Sequence, residues 1–468
     1  MEHKSAWSKY SDKEVKAVYK YAKGYKEFLS NNKTERECCD YFREEAEKNG
    51  YVNLGSIIDS KKRLKAGDKI YAVNMNKEIV LFNIGKDPIE KGMNILGAHI
   101  DSPRLDLKQN PLFEEANFAY FDTHYYGGIK KYQWVTLPLA LHGVVVKKDG
   151  TVVKIAIGEK DDEPVFFVSD PLIHLAQDQM TKEASKVIEG EALDVIIGNK
   201  PISVKAKDDK EAEAKDPVMK NILDILNKKY GIEEADFQSA EIEVVPAGKA
   251  RDAGFDESMI LGYGHDDRVC SYPSFTAMMA VKNPKRTSCC ILVDKEEIGS
   301  VGATGMKSMF FENTVAEIIN LCGEYSEIKL KRCLASSDML SSDVGSAFDP
   351  HFAEVFDKKS VAFLGNGLLF NKFTGSRGKS GSNDANAEYI AKIRDVMDTK
   401  NISYQFTELG KVDKGGGGTI AYITALYGMN VIDCGVPVLS MHAPYEAISK
   451  ADIYEVAMGY EAFLSLMK

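Results

Sequence analysis

Nowhere does this chain run to about 18 apolar residues without interruption, so no membrane-spanning helix is expected. The amino-terminal stretch MEHKSAWSKYSDKEVKAVYKYAKGYKEF lacks the apolar centre of a signal peptide, and a cytoplasmic location is expected. Positive charge is in deficit: 60 Lys and Arg stand against 70 Asp and Glu, a formal net charge of -10. That balance argues against nucleic acid or anionic membrane as a partner, because both need a positive surface. Cysteine is sparse, eight in 468 residues, with two pairs adjacent (Cys38 with Cys39, Cys289 with Cys290). This spacing excludes a disulfide framework or a structural zinc site, and reads as buried thiols. Internal repeats and low-complexity tracts are also missing.

What is present is an ordinary globular composition, 44% hydrophobic and 28% charged, in a chain longer than one core usually grows. Two domains, or one domain with a large insertion, are therefore expected. Residues 11 to 49 space their apolar positions helically (Val15, Val18, Tyr19, Ala22, Tyr25, Phe28, Leu29), with a second helix after Thr34. KIYAVNMNKEIVLFNIG and GMNILGAHID then read as strands. From about Pro103 to Val245 the texture turns β-rich, as in LALHGVVVKKDGTVVKIAIG with its Asp-Gly turn. The charged run KAKDDKEAEAKDP inside it reads as a mobile loop. Afterwards α/β alternation resumes. The expected division is 1–103 and 247–468 for one α/β domain and 104–246 for a β-rich insertion.

Histidine too is scarce, eight in all, and two of the eight follow apolar strands: His99 in GAHIDSPRLD and His442 in PVLSMHAPYE. Acidic segments occupy comparable loop positions: GHDDR with Asp266 and Asp267, DKEE with Glu296 and Glu297, and SSDVGSAFDPHF with Asp343. Open α/β sheets place their sites outside the carboxyl ends of strands. Singly, each residue reads as a structural histidine or a solvated turn. Gathered at one sheet edge, they would crowd like charges unless a cation compensated them, and two divalent ions would. Zinc suits imidazole and carboxylate ligands, and a co-catalytic pair needs a bridging carboxylate. One glutamate of DKEE can then be a ligand while its neighbour takes a proton from water.

The segments GAHIDSPRLDLK, GHDDR, DKEEIGSVGATG, SSDVGSAFDPHF and SMHAPYE, in this order over nearly the whole chain, resemble the five site segments of the aspartyl aminopeptidase and vacuolar aminopeptidase I family. The resemblance implies a zinc exopeptidase-like catalytic domain, a mixed central sheet flanked by helices, with the β-rich insertion mediating dimerisation. It implies two zinc ions per chain, with cobalt or manganese also accepted. Asp266 would bridge them, His99 and Asp343 would complete one site, and Glu297 and His442 the other. Glu296 would be the general base and Asp101 would orient the His99 ring. Asp267 is read as structural. Asp338 competes with Asp343 for the ligand position, since ASSDMLSSDV repeats Ser-Ser-Asp. Ser346 and Asp349 stand where relatives often carry histidine.

Peptides are the implied substrates. A preference for an acidic first residue would need a cation, and GSRGKSGSNDANAE offers Arg377 or Lys379. The glycine run of DKGGGGTIAY, Gly415 to Gly418, could let backbone approach a peptide, but it lacks the Lys-Ser/Thr of a phosphate loop. His174, in SDPLIHLAQDQ, resembles a family histidine that reaches a neighbouring subunit's site, and reads equally as a partly buried strand-end residue. The family implies a homo-oligomer, a dodecamer built from dimers. Two rival readings remain: a carboxypeptidase or amide deacylase on the same ligands, and a catalytically silent assembly protein.

Overall fold

The computed structural model describes residues 4–202 and 215–468. Most of the charged run KAKDDKEAEAKDP lies outside the described residues. The chain divides into two compact units, one made of Met1–Ser102, Ala250–Met441 and Glu446–Lys468, the other of Pro103–Lys249 and His442–Tyr445.

The first unit is a layered α/β structure. Its sheet has nine strands: β1 (Val52–Asn53), β2 (Lys69–Asn74), β3 (Glu78–Asn83), β4 (Met93–His99), β5 (Thr287–Val293), β6 (Asp338–Ser342), β7 (Leu368–Asn371), β8 (Tyr404–Thr407) and β9 (Asn430–Gly435). Their spatial order is β1-β2-β3-β5-β4-β6-β9-β7-β8. The four central strands β5, β4, β6 and β9 run parallel, with Val293 opposite His99 and Ser341 opposite Gly97 and Asp433. All four therefore end at one edge.

Alternation along the strands builds two cores. Leu96 and Ala98 of β4, with Cys290 and Leu292 of β5, face one; Met93 and Ile95, with Cys289, Ile291 and Val293, face the other. Helices α1 (Asp12–Asn31), α2 (Glu35–Lys48), α3 (His265–Ala280), α6 (Ala387–Thr399) and α7 (Lys450–Leu466) supply apolar residues to the first core. Helices α4 (Phe310–Cys322) and α5 (Glu327–Ala335) supply the second. A continuous apolar strand buried on both faces is what such layering requires. Ser11 and Thr34 open α1 and α2 with capping boxes closed by Glu14 and Glu37, so each helix starts where its sequence signal lies. All eight cysteines are free thiols, and all but Cys322 are buried.

The second unit is an antiparallel six-stranded sheet ordered Val152–Ile157, Leu139–Val146, Ala240–Pro246, Arg104–Glu115, Phe118–Tyr126 and Val195–Gly198. Its Asp149-Gly150 turn joins the two strands read from LALHGVVVKKDGTVVKIAIG. Arg104 is held between Asp106 (2.8 Å) and Glu243 (3.2 Å) and lies over the Tyr126 ring. His174 sits on a single exposed turn, Ile173–Leu175, so the strand-end, partly buried reading of it fails. That turn was unreadable because Pro171 and Asp170 break the strand pattern just before it.

Candidate metal centre and active site

The carboxyl ends of β4, β5 and β6 and the amino end of α3 bring one imidazole and six carboxylates together. His99 is the last residue of β4 and is buried. Its Nδ1 lies 3.2 Å from Asp101 Oδ1 and 3.0 Å from the Asp101 carbonyl. These acceptors fix Nδ1 as the protonated nitrogen and turn Nε2 outward as a ligand atom. Around Nε2 lie Asp266 Oδ1 at 3.3 Å and Glu296 Oε2 and Asp343 Oδ1 at 3.9 Å each.

Asp101 also receives the backbone N–H groups of Glu296 and Glu297, both at 3.2 Å. One fully buried carboxylate thus ties the loop after β4 to the turn Glu296–Ile298 that follows β5. That turn is entered through Lys295 in the left-handed region (φ 67), where the strand's alternation ends. The two adjacent glutamates are consequently no longer forced to opposite faces.

Asp266 and Asp267 open α3. Glu446, a buried residue the sequence reading passed over, accepts from Asp266 N at 3.0 Å, and Ser102 Oγ donates to the Asp266 carbonyl at 2.8 Å. Asp267 Oδ2 accepts from His99 N at 3.3 Å. Two sets of ligand atoms each lie within 4.8 Å of one another: His99, Asp267 and Asp343, and His99, Asp266 and Glu297. The sequence reading set Asp267 aside as structural, yet its carboxylate stands in one of these sets. A signal for this was present in GHDDR, whose two acids both sit at a helix start.

His442 falls in the second unit, where its Nδ1 meets the Gly128 carbonyl at 2.8 Å. The carbonyl makes Nδ1 the protonated nitrogen there too, so Nε2 carries the lone pair. Asp338, the rival of Asp343, lies at the opposite end of β6, paired with Arg286 and accepting from Asn430 Nδ2 at 2.8 Å. Asp349 caps the exposed turn Pro350–Val355 through His351 N at 2.9 Å.

Negative charge is concentrated and buried at this edge. Burial, then the charges of Asp267 and Glu296, hold the Asp343 carboxyl well above the usual carboxylate range. Burial does the same to Asp267, against a partial offset from His99. Burial disfavours a charged His99 ring, but hydrogen bonds to Asp101 and Asp266 outweigh it and hold the second proton, on the Nε2 that a metal would take over, well above the ordinary imidazole value. Arg268, next in sequence, spends its guanidinium on the carbonyls of Gly264, Asn32 and Tyr263. A nitrogen- and oxygen-donor set with excess negative charge fits a divalent ion of the zinc class.

Of the candidate substrate cations, Lys379 is committed: it pairs with Asp384 at 2.9 Å and lies over the Phe373 ring. Arg377 makes no ion pair among the described residues. Both line a cavity of about 240 Å³ with Phe373, Lys411 and the glycine run.

A family model described as aminopeptidase I zinc metalloprotease (M18) matches residues 28–464. A relative from Clostridium acetobutylicum, described as "Probable M18 family aminopeptidase 1", is 60% identical over 99% of this chain and 98% of its own. A crystal structure of an M18 family aminopeptidase from Thermotoga maritima superposes with a TM-score of 0.92 at 41% identity, covering 99% of both chains. That of aminopeptidase I from Clostridium acetobutylicum gives 0.90 at 57% identity, again over 99% of both.

Proposed function

Because the chain belongs to the M18 family of aminopeptidases, which are zinc metalloproteases, we propose that it removes a preferentially acidic first residue from peptides with two metal ions and Glu296 as general base. As a metallo-exopeptidase it is a hydrolase, and the carboxypeptidase, deacylase and silent-protein readings have no support in the family match.

The observation that carries the proposal is the pair of ligand groups sharing His99 at the carboxyl ends of parallel strands. His99, Asp266, Glu297 and Asp343 would hold the ions, with Asp266 shared between them and His442 joining Glu297 as the family resemblance implies. Zinc, when bound, supplies Lewis acidity that acidifies water and polarises a carbonyl. The residues do the rest. Glu296, adjacent to a ligand but held by its backbone on Asp101, takes the proton of the attacking water and delivers it to the departing amine. Asp101 keeps the His99 ring in the tautomer that presents Nε2. Arg377, with its charge unspent, is the cation that receives an Asp or Glu side chain, in preference to Lys379.

We extend the reading to assembly. The insertion carries Phe167, Leu172, Ile173, Leu175 and Met180 exposed, Leu175 at 77%, around His174. Such a strip on a soluble surface is a docking face, here for a second copy, and dimers of this kind build the dodecamer the family resemblance implies. His174 then reaches the neighbour's substrate. Cytoplasmic location belongs to the same proposal; among the described residues no helix is long and apolar enough to cross a membrane.

The test is hydrolysis of chromogenic substrates headed by Asp, Glu, Leu and Lys, each with a free or blocked amino group, after metal stripping and return of zinc, cobalt or manganese. Metal-restored cleavage of free substrates alone, fastest for Asp or Glu, is the expected result. Cleavage of blocked substrates, or equal rates for all four, would overturn the corresponding part.

A further inference from the structure

The cavity beside Arg377 is built from two loops joined backbone to backbone. Gly417 N donates to the Thr374 carbonyl at 3.0 Å, and a side chain on Gly416 (φ +124) would meet Ser376 N and Cα at 2.7 Å. Only glycine permits that approach. The 415–418 run therefore dictates where the 373–379 loop, and Arg377 with it, can lie.

The run is itself moored to the sheet through a side-chain hydrogen bond. Thr419 Oγ1 donates to Asp433 Oδ1 and accepts from Ala421 N at 3.2 Å, at the start of the helix Ala421–Ala425. Asp433 sits on β9, between Ser341 of β6 and Asn371 of β7, and is 1% exposed. Its second oxygen has no hydrogen-bond partner among the described residues. Burial, with a contribution from the charge of Glu296, pushes this carboxyl up to about 7. A mooring that needed only shape would be cheaper with two apolar side chains, since a half-satisfied buried carboxyl costs free energy. Asp433 accepts that cost at a position within the electrostatic reach of Glu296.

We propose that Thr419 and Asp433 form a positioning pair that fixes the glycine run against the sheet and so sets the shape of the cavity that selects the substrate's first residue. This rests on the reading of that cavity as the first-residue pocket. The pair touches no substrate; it acts through the 415–418 and 373–379 backbones.

The experiment measures kcat/KM for free Asp-, Glu-, Leu- and Lys-headed chromogenic substrates with the zinc-loaded enzyme and the variants Thr419→Val, Thr419→Ser and Gly416→Ala. The ratio between the best and worst first residue should fall roughly tenfold in Thr419→Val, the scale of a disturbed side-chain pocket. Gly416→Ala, which leaves the mooring intact and displaces the loop, should shift the ratio likewise, and Thr419→Ser should restore it. Zinc content should stay at the wild-type value in Thr419→Ser and Thr419→Val, and melting temperature in Thr419→Ser; Thr419→Val should melt lower, because the buried Asp433 carboxyl loses its hydrogen bond. An unmoved ratio, an equal loss on all four substrates, or a wild type without any selectivity overturns the proposal. A wild type that selects a neutral or basic residue sinks the acidic preference alone, and the positioning pair is still judged by the ratio.

Discussion

Two copies of Ser-Ser-Asp lie at opposite ends of one strand, and their aspartates have opposite circumstances. At the amino end of β6, Asp338 meets the Arg286 guanidinium, which also donates to the carbonyls of Ser336 (2.6 Å) and Met93 (3.3 Å). At the carboxyl end, Asp343 meets the charges of Asp267, Glu296 and Asp266, with His99 as a favourable neighbour. The same tripeptide is structural where the protein supplies the cation and a candidate ligand where it does not. Buried negative charge becomes informative about function only after its counter-charge has been sought and found missing.

This contrast breaks or stands on substitutions at the two ends. Asp343→Asn should remove one of two zinc equivalents and abolish turnover, whereas Asp338→Asn should keep both equivalents and kcat. Metal analysis and steady-state kinetics on the two purified variants decide it, and zinc loss from Asp338→Asn would erase the distinction. Glu296→Gln should lower kcat by about 10²–10⁴ while sparing metal content, the range for a lost general base. Full activity in that variant would reassign the proton transfer.

Asp101→Asn sharpens the comparison from the supporting layer. It should weaken zinc binding by about 10–100-fold, as loss of an orienting carboxylate does, measured by competition with a chromogenic chelator. Asp338→Asn in turn should cost about 3–5 kcal/mol of stability, because Arg286 is left buried without its partner. Denaturant unfolding of the zinc-loaded variant reads that cost.

The smallest effect concerns two further buried acids, Asp452 and Asp433, which make no ion pair with an arginine among the described residues. Asp452 accepts from Gly365 N and Gly367 N, both at 2.7 Å, yet burial pushes it up to about 8. Burial likewise lifts Asp433 to about 7. In the unfolded chain both titrate at about 4. Their contribution to stability is therefore complete below about pH 4 and lost as pH rises through 7 to 8. The metal-stripped protein should melt at a lower temperature at pH 9 than at pH 6, and Asp452→Asn should flatten the slope. A melting temperature that rises over this interval would contradict the sign.

The sequence displayed much of this, for reasons that differ by element. The mixed α/β fold was legible because apolar runs such as ILV before DKEE, and helical spacing closed by Ser11 and Thr34, are local signals that tertiary context did not override. Strand-end placement of His99, Glu296, Glu297 and Asp343 followed from the same runs, since a strand must end where its apolar stretch does. In the sequence only the spacing to Asp349-Pro350-His351 favours Asp343 over Asp338, because both follow Ser-Ser and the partner that sets Asp338 apart, Arg286, lies 52 residues away in the chain. The place of Asp267 beside His99 and Asp343 was hidden because it depends on the turn into α3, and that of Glu446 because a backbone acceptor leaves no pattern. The mooring of Thr419 on Asp433 pairs two unremarkable residues on separate elements.

The central claim is that the carboxyl-end carboxylates hold a pair of metal ions. Crystals of the zinc-loaded protein, measured with anomalous scattering at the zinc edge, test it most directly. The account predicts two peaks per chain about 3.5–4 Å apart, bridged by Asp266, with His99 and Asp343 on one and Glu297 on the other. A single peak, or a pair that leaves Asp266 and Asp343 without zinc, would contradict it.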